Sequence, residues 1–422
     1  MTEPTMTEDL IGEVRNRFAH VESCPIAGPR IFFENAGGAL TLKSVVETST
    51  FFAAIPDNQG RDNATAHELV RIIAKAKSDM GDFFGASSGQ FFVGESGTEL
   101  LFRLIRTAVT AMPGRVLGST VEHPATRSAA RHWSGVLGRE YQTVPHDDAA
   151  GLVRPEDYAR AITPDTSVVT ILHTSPVTGM AMDVAGIVRE VRAVAPEAFV
   201  IVDGIQHACH GGIDIDAYDV DGYVVSPYKV FSRHGYGVAW VSDRFKALDH
   251  ERLAGGPPES WEFGTRDTGA YATFSDVVGY FDWLGGEVSG ETDRRSRILA
   301  AGRAIHAQEK ALTDAALYGT GNQPGLSEMP GVNIVGGVEN AAREGLVSFW
   351  TDSIPAEEIV SALNAEGVRT HTRKADHYSG NILDPLGQSS CVRVSFCHYN
   401  TVAEVSRFLS LMHGLLGPGD GA

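Results

Sequence analysis

Two apolar runs that end in polar residues decide the fold: 200–206 (VIVDGIQ) and 225–229 (VSPYK). The first run is typical of a buried strand that closes on Asp203, and the second of a strand end followed by a tight turn and Lys229. In a sheet of parallel strands, the carboxyl ends meet at one edge, and ligands bind there. The sequence therefore predicts that an acid and a lysine face each other at a ligand-binding edge.

Strand-like and helix-like segments alternate around these runs, from about residue 85 to residue 245. Continuous apolar strands separated by amphipathic helices are typical of a mostly parallel sheet covered on both faces. We therefore predict an α/β fold. The predicted strands are 90–93, 115–118, 168–172, 199–202, 223–225 and 237–241, and the predicted helices are 99–110, 127–136 and 184–194.

The pattern changes after about residue 290. A long polar helix is predicted over 291–318, and an α+β pattern follows it. The last helix is predicted over 401–416, where Thr401 and Glu404 resemble a capping box. We expect three parts: an N-terminal segment (1–30) that packs on the small domain, a large ligand-binding domain (31–290) and a small C-terminal α+β domain (291–422).

Bulk composition restricts the partners of the chain. The net charge of −18 over 422 residues disfavours nucleic acid and anionic membranes. No apolar run approaches the ~18 residues of a membrane span, and the first residues lack the features of a signal peptide, so we expect a cytoplasmic protein. The four cysteines are scattered without a CxxC pair, which disfavours a zinc knuckle and a disulfide framework.

Asp203 and Lys229 have the placement of residues that hold pyridoxal phosphate. In enzymes that use this cofactor, a lysine forms a Schiff base with it and an acid pairs with its pyridine nitrogen. Gly97 and Thr98 join a strand to a helix, where a phosphate fits, although a plain strand-to-helix turn gives the same pattern. The imidazole of His123 follows another strand and is suited either to stacking on an aromatic cofactor or to a structural role.

Three polar residues near these positions are further candidates. Gln206 lies three residues after Asp203 and within reach of the phenolic oxygen of the cofactor. Ser226 and Tyr228 flank Lys229, and their hydroxyl groups are suited to binding the phosphate.

Arg393 is the candidate for substrate binding. On the predicted strand 392–395 it can clamp a carboxylate with two hydrogen bonds, or it is an edge-strand arginine that faces water. His207 and His210 can share one helix face, but no third ligand accompanies them, so no metal site is predicted.

With these residues in this order, the chain resembles the class V aminotransferase group of fold type I pyridoxal phosphate enzymes. The resemblance is to the cysteine desulfurase and selenocysteine lyase branch and to isopenicillin-epimerase-like relatives, and it runs from about residue 31 to residue 416. It implies a large domain with a mostly parallel, seven-stranded type of sheet and a smaller α+β C-terminal domain. The matching motifs are 32–38, 96–99, Glu122 with His123, Asp203 with Gln206, Ser226 with Lys229, 263–265, and Arg393.

The resemblance also implies a role for each matching residue. Gly264 and Thr265 match a segment that reaches the phosphate of the neighbouring subunit, which implies a homodimer with shared active sites. Lys229, His123 and Asp203 are the implied catalytic residues. The implied cofactor contacts are these three with Gly97, Thr98, Gln206, Ser226, Tyr228, Gly264 and Thr265, and the implied substrate contacts are Arg393, Asn35, Arg61 and His371.

The chain departs from the family pattern in three places. Desulfurases carry a nucleophilic cysteine on a loop, whereas the matching stretch here, 369–378 (RTHTRKADHY), contains none, and a thiolate is required to accept sulfur. We predict that 371–378 forms a polar loop. Cys391 and Cys397 lie on or beside the arginine strand, where we expect them to pack as inert thiols. Pro176 stands where the family has asparagine and offers no side-chain donor, and Tyr228 stands where many relatives have histidine.

We therefore predict a lyase for a small amino-acid substrate that breaks the C–S bond of an S-substituted cysteine by β-elimination, as similar proteins do in secondary-metabolite pathways. Lys229 would remove the α-proton, Asp203 would keep the pyridine protonated, and Arg393 would orient the carboxylate. Decarboxylating oxidative deamination of the same conjugate, epimerisation with His371 or Tyr378 as second base, and transamination are the alternatives. Retention of the three site residues argues against a scaffold protein without catalysis.

Overall fold

A seven-stranded sheet forms the centre of the computed structural model, which describes residues 6–265, 267–321 and 323–417. Only Gly237–Val241 runs against the other strands of this sheet, being antiparallel to both of its neighbours. The predicted mostly parallel sheet is therefore confirmed. The order across the sheet is Gln90–Gly94, Gly237–Val241, Gly222–Val225, Phe199–Asp203, Thr166–Leu172, Arg115–Ser119 and Tyr141–Val144.

The central strands are covered by helices on both faces. Every residue of Thr166–Leu172 and of Phe199–Asp203 is buried, which explains why both strands are mainly apolar and do not alternate with charged residues. Neighbouring residues of a strand point to opposite faces. Ile201 accordingly belongs to the apolar cluster around the helix Gly97–Ala111, whereas Val200 and Val202 belong to the cluster on the other face.

The C-terminal part of the chain builds a second, antiparallel sheet of four strands. Its order is Val332–Ile334, Leu346–Thr351, Ser390–Ser395 and His371–Lys374, so the predicted α+β character is confirmed. The prediction of a polar loop over 371–378 is wrong in its first half, because His371–Lys374 is the edge strand of this sheet. Its residues are polar on both faces, so the sequence pattern does not indicate a strand. The segment is held in an extended conformation by pairing with the buried strand Ser390–Ser395.

One long helix, Arg294–Tyr318, connects the two apolar cores. Ile298 and Ile305 in its first half belong to the core of the large sheet, and Leu312 and Ala316 in its second half belong to the core of the small sheet. The two sheets are therefore joined by a continuous rigid element. The domain boundaries after residues 30 and 290 stay a prediction.

The remaining elements surround these two sheets. Short strand pairs join Ser23–Cys24 to Gly28–Pro29 and Ile31–Phe32 to Val368–Arg369. No helix within the described ranges is both long enough and apolar enough to span a membrane. The other α-helices are Glu8–Arg17, Lys43–Ala53, Ala64–Phe84, Pro124–Val136, Pro155–Ala161, Val184–Val194, Ile215–Tyr218, Asp243–Lys246, Thr268–Val288, Ala356–Ala365, Gly380–Leu383 and Val402–Leu416, and the 3-10 turns are His207–Cys209, Pro227–Lys229 and Leu326–Glu328.

The capping box of the last helix gives a test of the fold. The hydroxyl of Thr401 accepts from the Glu404 amide at 3.2 Å, and the Glu404 carboxylate accepts from the Thr401 amide at 3.0 Å. We expect Thr401→Ala to lower the free energy of unfolding by about 1 kcal/mol, as loss of a helix cap does. Thr401→Ser keeps the hydroxyl and should stay near the wild type when both midpoints are measured by denaturant unfolding. An equal loss in both variants would show that the methyl group, not the cap, matters.

Candidate active site

The carboxyl ends of two neighbouring parallel strands form one side of a cavity. Asp203 ends the strand Phe199–Asp203 and lies opposite Val224 of the next strand, whose chain continues into the turn that carries Lys229. Parallel pairing therefore places the acid and the lysine at the same edge. The cavity is lined by Thr98, His123, Leu172, Pro176, Asp203, Ile205, Gln206, Ser226, Tyr228 and Lys229.

Asp203 is a buried acid without a cationic partner at ion-pair distance among the residues that the structure describes. One carboxylate oxygen accepts from the Ile205 amide at 3.1 Å, and the other accepts from the Thr126 hydroxyl at 3.3 Å. Burial raises the pKa of Asp203 to about 6, although these hydrogen bonds and the charge of Lys229 act in the opposite direction. The carboxyl is therefore ready to stabilise a cationic group that enters the cavity.

Lys229 reaches the same cavity from the turn after the neighbouring strand. Its Nζ donates to Oε1 of Gln206 at 3.0 Å. Burial lowers the pKa of Lys229 to about 8, and the positive charge of Arg393 acts in the same direction, whereas Asp203 opposes it. A substantial fraction of the amine is therefore neutral, and hence nucleophilic and basic, in mildly alkaline solution.

A buried chain of hydrogen bonds fixes the Gln206 amide. Gln206 Nε2 lies 3.2 Å from Nε2 of His210, and Nδ1 of His210 lies 2.7 Å from a carboxylate oxygen of Glu309. An amide nitrogen only donates, so Nε2 of His210 accepts and its Nδ1–H donates to Glu309. This arrangement turns the Gln206 oxygen towards Lys229. His210 thus pairs with an acid of the long helix, and the described residues contain no group of three or more histidine, cysteine or acidic side chains placed to hold a metal.

His123 is held as a neutral imidazole. Its Nδ1 accepts from the Ala125 amide at 3.2 Å, which caps the helix Pro124–Val136 and leaves the proton on Nε2. Burial lowers the pKa of His123 to about 3, and the nearby charges of Lys229 and Arg373 act in the same direction. A neutral ring that lines the cavity is suited to stacking against a flat aromatic group.

The start of the helix Gly97–Ala111 forms another part of the cavity wall. A side chain at Gly97 would place its Cβ 2.4 Å from Oγ of Ser226, so only glycine allows this close approach. Thr98 is exposed and lines the cavity beside it. Tyr228 lies on the other side, with its ring stacked on His234 at 4.3 Å between the ring centres. Free amides at a helix start and nearby hydroxyl groups are suited to a phosphate.

Arg393 approaches the cavity from the small sheet. It is buried, and its Nη1 donates to the backbone oxygen of Pro176 at 3.0 Å, while its Nε has no partner among the described residues. Burial lowers the pKa of Arg393 to about 9, and the charge of Arg373 acts in the same direction. Pro176 lacks a side-chain donor, as noted above, but its carbonyl group orients the arginine, which the sequence did not indicate.

Asn35 and His371 lie beside Arg393 but do not line the cavity. The Asn35 amide is buried and donates to the Ser395 backbone oxygen at 2.8 Å, so it holds the chain against the arginine strand. His371 lies opposite Arg393 in the strand pair, and its Nδ1 is 3.3 Å from a carboxylate oxygen of Glu34. A substrate contact for Asn35 or His371 stays a prediction.

Arg61, Gly264 and Thr265 are exposed and lie outside the cavity of this chain. Gly264 adopts a left-handed conformation, with φ at 64°, and a side chain there would meet open space. The resemblance assigned Gly264 and Thr265 to the phosphate of the neighbouring subunit and Arg61 to the substrate. Those contacts stay a prediction.

Comparison with known proteins assigns the chain to a family. The family model described as Aminotransferase class-V matches residues 31–273 and 300–408. The chain belongs to the class V aminotransferase family. The predicted family is therefore confirmed.

Individual relatives of the class V aminotransferase family share between 20% and 27% sequence identity with this chain. A probable cysteine desulfurase of Mycolicibacterium paratuberculosis is 27% identical over 94% of this chain, which spans only 57% of that relative's length. The cysteine desulfurase-like protein ustD of Aspergillus flavus is 27% identical, with coverage of 91% of this chain and 87% of the relative. The crystal structure of the cysteine desulfurase CsdA from Escherichia coli superposes on this chain with a TM-score of 0.77 at 20% sequence identity. The match covers 96% of this chain and 98% of the CsdA chain, so the two share the fold.

Members of the class V aminotransferase family are fold type I enzymes that use pyridoxal phosphate. The cavity residues fit this cofactor. The buried carboxyl of Asp203 suits the protonated ring nitrogen, because no cation lies at ion-pair distance from it among the described residues. The Lys229 amine suits the aldehyde, and the close approach of Gly97 to Ser226 leaves amides and hydroxyl groups for the phosphate.

The pKa of Lys229 predicts how the cofactor is captured. Only the neutral amine bonds to an aldehyde, so we expect the capture rate of cofactor-free protein to rise with pH and to reach half its maximum near pH 8. Stopped-flow absorbance over a pH series measures the rate, and Nα-acetyl-lysine, with a pKa of about 10.4, is the free-amine control. Lys229→Ala should capture none, and Lys246→Ala should behave as the wild type. A profile that follows the free amine would contradict the lowered pKa.

Substitutions of Gln206 should move the pKa of Lys229 in either direction. Its oxygen stabilises the charged form of Lys229, and a hydrogen bond to a charged group is worth about 1.5–3 kcal/mol. We therefore expect Gln206→Leu to shift the midpoint of the capture profile down by about one pH unit, and Gln206→Glu to shift it up. Equal midpoints in the two variants would show that the hydrogen bond does not control the amine.

Proposed function

We propose that this class V aminotransferase family member is a pyridoxal phosphate-dependent C–S lyase for S-substituted cysteines. The observation that carries the proposal is the absence of a thiol in 369–378, the stretch in which desulfurases carry their nucleophilic cysteine. Arg373 and Tyr378 of this stretch lie near the cavity instead, with the Tyr378 ring 5.6 Å from the His123 ring. Without an accessible thiolate, the enzyme has no group that accepts sulfur as a persulfide.

The four cysteines of the chain lie elsewhere. Cys391 is fully buried, and burial raises its pKa to about 12. Cys397 is also buried, and burial raises its pKa as well. Cys209 is buried with its sulfur 3.7 Å from the Gln206 backbone oxygen, and Cys24 belongs to the strand pair of the N-terminal segment. None of the four lines the cavity.

The residues of the cavity supply the other requirements of an elimination. When bound, pyridoxal phosphate supplies an electron-withdrawing ring that makes the α-proton of an amino acid acidic. The Lys229 Nζ accepts this proton, since its lowered pKa of about 8 leaves part of the amine neutral in mildly alkaline solution. Asp203 holds the proton of the ring nitrogen, and Arg393 binds the substrate carboxylate and so orients the α-carbon. His123 packs against the ring face, and Gly97, Thr98, Ser226 and Tyr228 hold the phosphate.

The reaction balances without an oxidant or a reductant. The α-proton leaves, the bond between the β-carbon and sulfur breaks with its electron pair on sulfur, and the sulfur takes up a proton. Hydrolysis of the remaining fragment gives a keto acid. One S-substituted cysteine and one water molecule therefore yield one thiol, one pyruvate and one ammonia.

We also propose that the active protein is a homodimer. Family members commonly form dimers. Phe51 and Leu253 are 63% and 61% exposed, and a subunit interface would cover such side chains. A dimer would also allow Arg61, Gly264 and Thr265 to contact the partner's cavity. The cytoplasmic location and the biosynthetic role remain proposals that rest on the sequence.

The products decide the reaction type. We expect the holoenzyme, incubated with S-substituted cysteines, to release pyruvate, ammonia and thiol in equal amounts by mass spectrometry and coupled assays. Lys229→Ala should lower the rate by about 10²–10⁴-fold, as loss of a general base does. Cys391→Ala should keep the wild-type rate, because its buried thiol takes no part.

Each alternative gives a different product. Alanine together with a persulfide on the protein would overturn the proposal in favour of desulfuration. Carbon dioxide and an aldehyde would indicate decarboxylating deamination, and exchange of the α-proton with solvent alone would indicate epimerisation. Consumption of a keto acid would indicate transamination.

A further inference from the structure

Arg373 and Arg393 lie on one face of the small sheet. In the antiparallel pair His371–Lys374 with Ser390–Ser395, His371 lies opposite Arg393 and Arg373 lies opposite Cys391. Side chains two residues apart on a strand share a face, so Arg373 and Arg393 are diagonal neighbours on the same face. This is the face from which Arg393 reaches Pro176 at the cavity.

Neither guanidinium forms an ion pair within the part of the chain that the structure describes. Among the residues described, no carboxylate lies at ion-pair distance from Arg373 or Arg393. Arg373 donates from Nε to the uncharged Ser379 hydroxyl at 2.9 Å, and no other hydrogen bond of its guanidinium is made within the described chain. Two adjacent, partly desolvated cations repel each other unless anions pair with them. The proposed substrate carboxylate serves Arg393 and leaves Arg373 without an anion.

The nearest acid of the loop is engaged elsewhere. Asp376 accepts from the backbone amides of Tyr378 and Ser379, at 2.8 Å and 3.3 Å, and so closes the turn after the strand. Arg127 donates to the His377 backbone oxygen at 2.9 Å and ties this turn to the large sheet's helices. The turn is therefore anchored beside the cavity, and the Asp376 carboxylate acts on Arg373 only from beyond ion-pair distance.

Arg373 lies near the cavity, next to the Tyr378 ring. Its guanidinium is 5.9 Å from the centre of the Tyr378 ring, and that ring is 5.6 Å from the His123 ring, which lines the cavity. The proposed phosphate contacts are at the start of the helix Gly97–Ala111, on the large sheet. The cofactor phosphate is thus assigned to groups other than Arg373, which leaves Arg373 to bind an anionic group of the substrate.

We propose that Arg373 binds an acidic group at the end of the sulfur substituent, so that the substrate is an S-substituted cysteine with a second carboxylate or similar anion. This inference rests on the proposed C–S lyase function and names its substrate class. Arg393 would hold the α-carboxylate while Arg373 holds the distal anion, and the two contacts together would fix the length and direction of the substituent. Arginine suits this role because its planar fork binds carboxylates with two hydrogen bonds.

An isosteric pair of substrates tests the proposal. S-carboxymethylcysteine and S-carbamoylmethylcysteine have nearly the same size and shape, but the distal group is an anionic carboxylate in the first and a neutral amide in the second. We expect wild-type kcat/KM for thiol release to be at least about tenfold higher for the acid, the size of one charged hydrogen bond. Arg373→Gln should abolish this preference while keeping the rate on the amide, and Arg373→Lys should retain part of it. Lys374→Gln, on the opposite face of the same strand, removes an equal charge and should change neither rate.

A binding measurement separates this inference from the reaction itself. The thioether diacid 3-(carboxymethylthio)propanoate lacks the amino group and cannot react, so calorimetry with the holoenzyme reports only its affinity. We expect Arg373→Gln to weaken its binding about tenfold or more, and Lys374→Gln to leave it unchanged, with melting temperatures confirming that each variant is folded. Loss of diacid binding in Arg373→Gln without thiol release from either substrate would support the anion site and refute the lyase. Thiol release with equal rates on acid and amide would support the lyase and overturn the anion site.

Discussion

The burial of one acid and one amine at the same sheet edge is the constraint on which the site depends. Parallel pairing places Asp203 and Lys229 at adjacent strand ends, where neither group is fully hydrated. Burial raises the pKa of the acid to about 6 and lowers that of the amine to about 8, so both move towards neutrality. The edge therefore holds an acid that gains from a cationic ligand and an amine that is already partly nucleophilic.

The second constraint is an excess of positive charge at the other side of the cavity. The small sheet places Arg393 and Arg373 beside the cavity, and among the described lining residues Asp203 on the large sheet is the only acid, while Glu34 and Asp376 act on the two arginines from beyond ion-pair distance. A site with this imbalance favours anionic ligands, because each bound anion relieves repulsion between cations as well as forming its own contacts. The chain as a whole is strongly acidic, with a net charge of −18, so the cationic cavity is a local feature that composition conceals.

The sequence predicted most of the large sheet because its strands carry their own signal. Gly237–Val241 and the helix Val184–Val194 were predicted with their observed bounds, since each is a compact apolar or amphipathic run. Groups that depend on contacts distant along the chain could not be predicted. The Glu309 carboxylate contacts His210 only because the long helix passes the turn that follows the strand Phe199–Asp203. Pro176 acts through its backbone oxygen, a group that every residue has, so its residue type does not reveal this contact.

The edge strand His371–Lys374 is an element that the sequence did not predict, and its position affects the site. With polar residues on both faces it has no alternation that indicates a strand, and only its partner Ser390–Ser395 fixes its register. That register decides the chemistry of the cavity mouth. A slip of one residue would turn Arg373 to the outer face and bring Lys374 or Thr372 beside Arg393. The charge that a substrate meets is therefore set by backbone pairing, not by the loop that a reading of the sequence alone would place there.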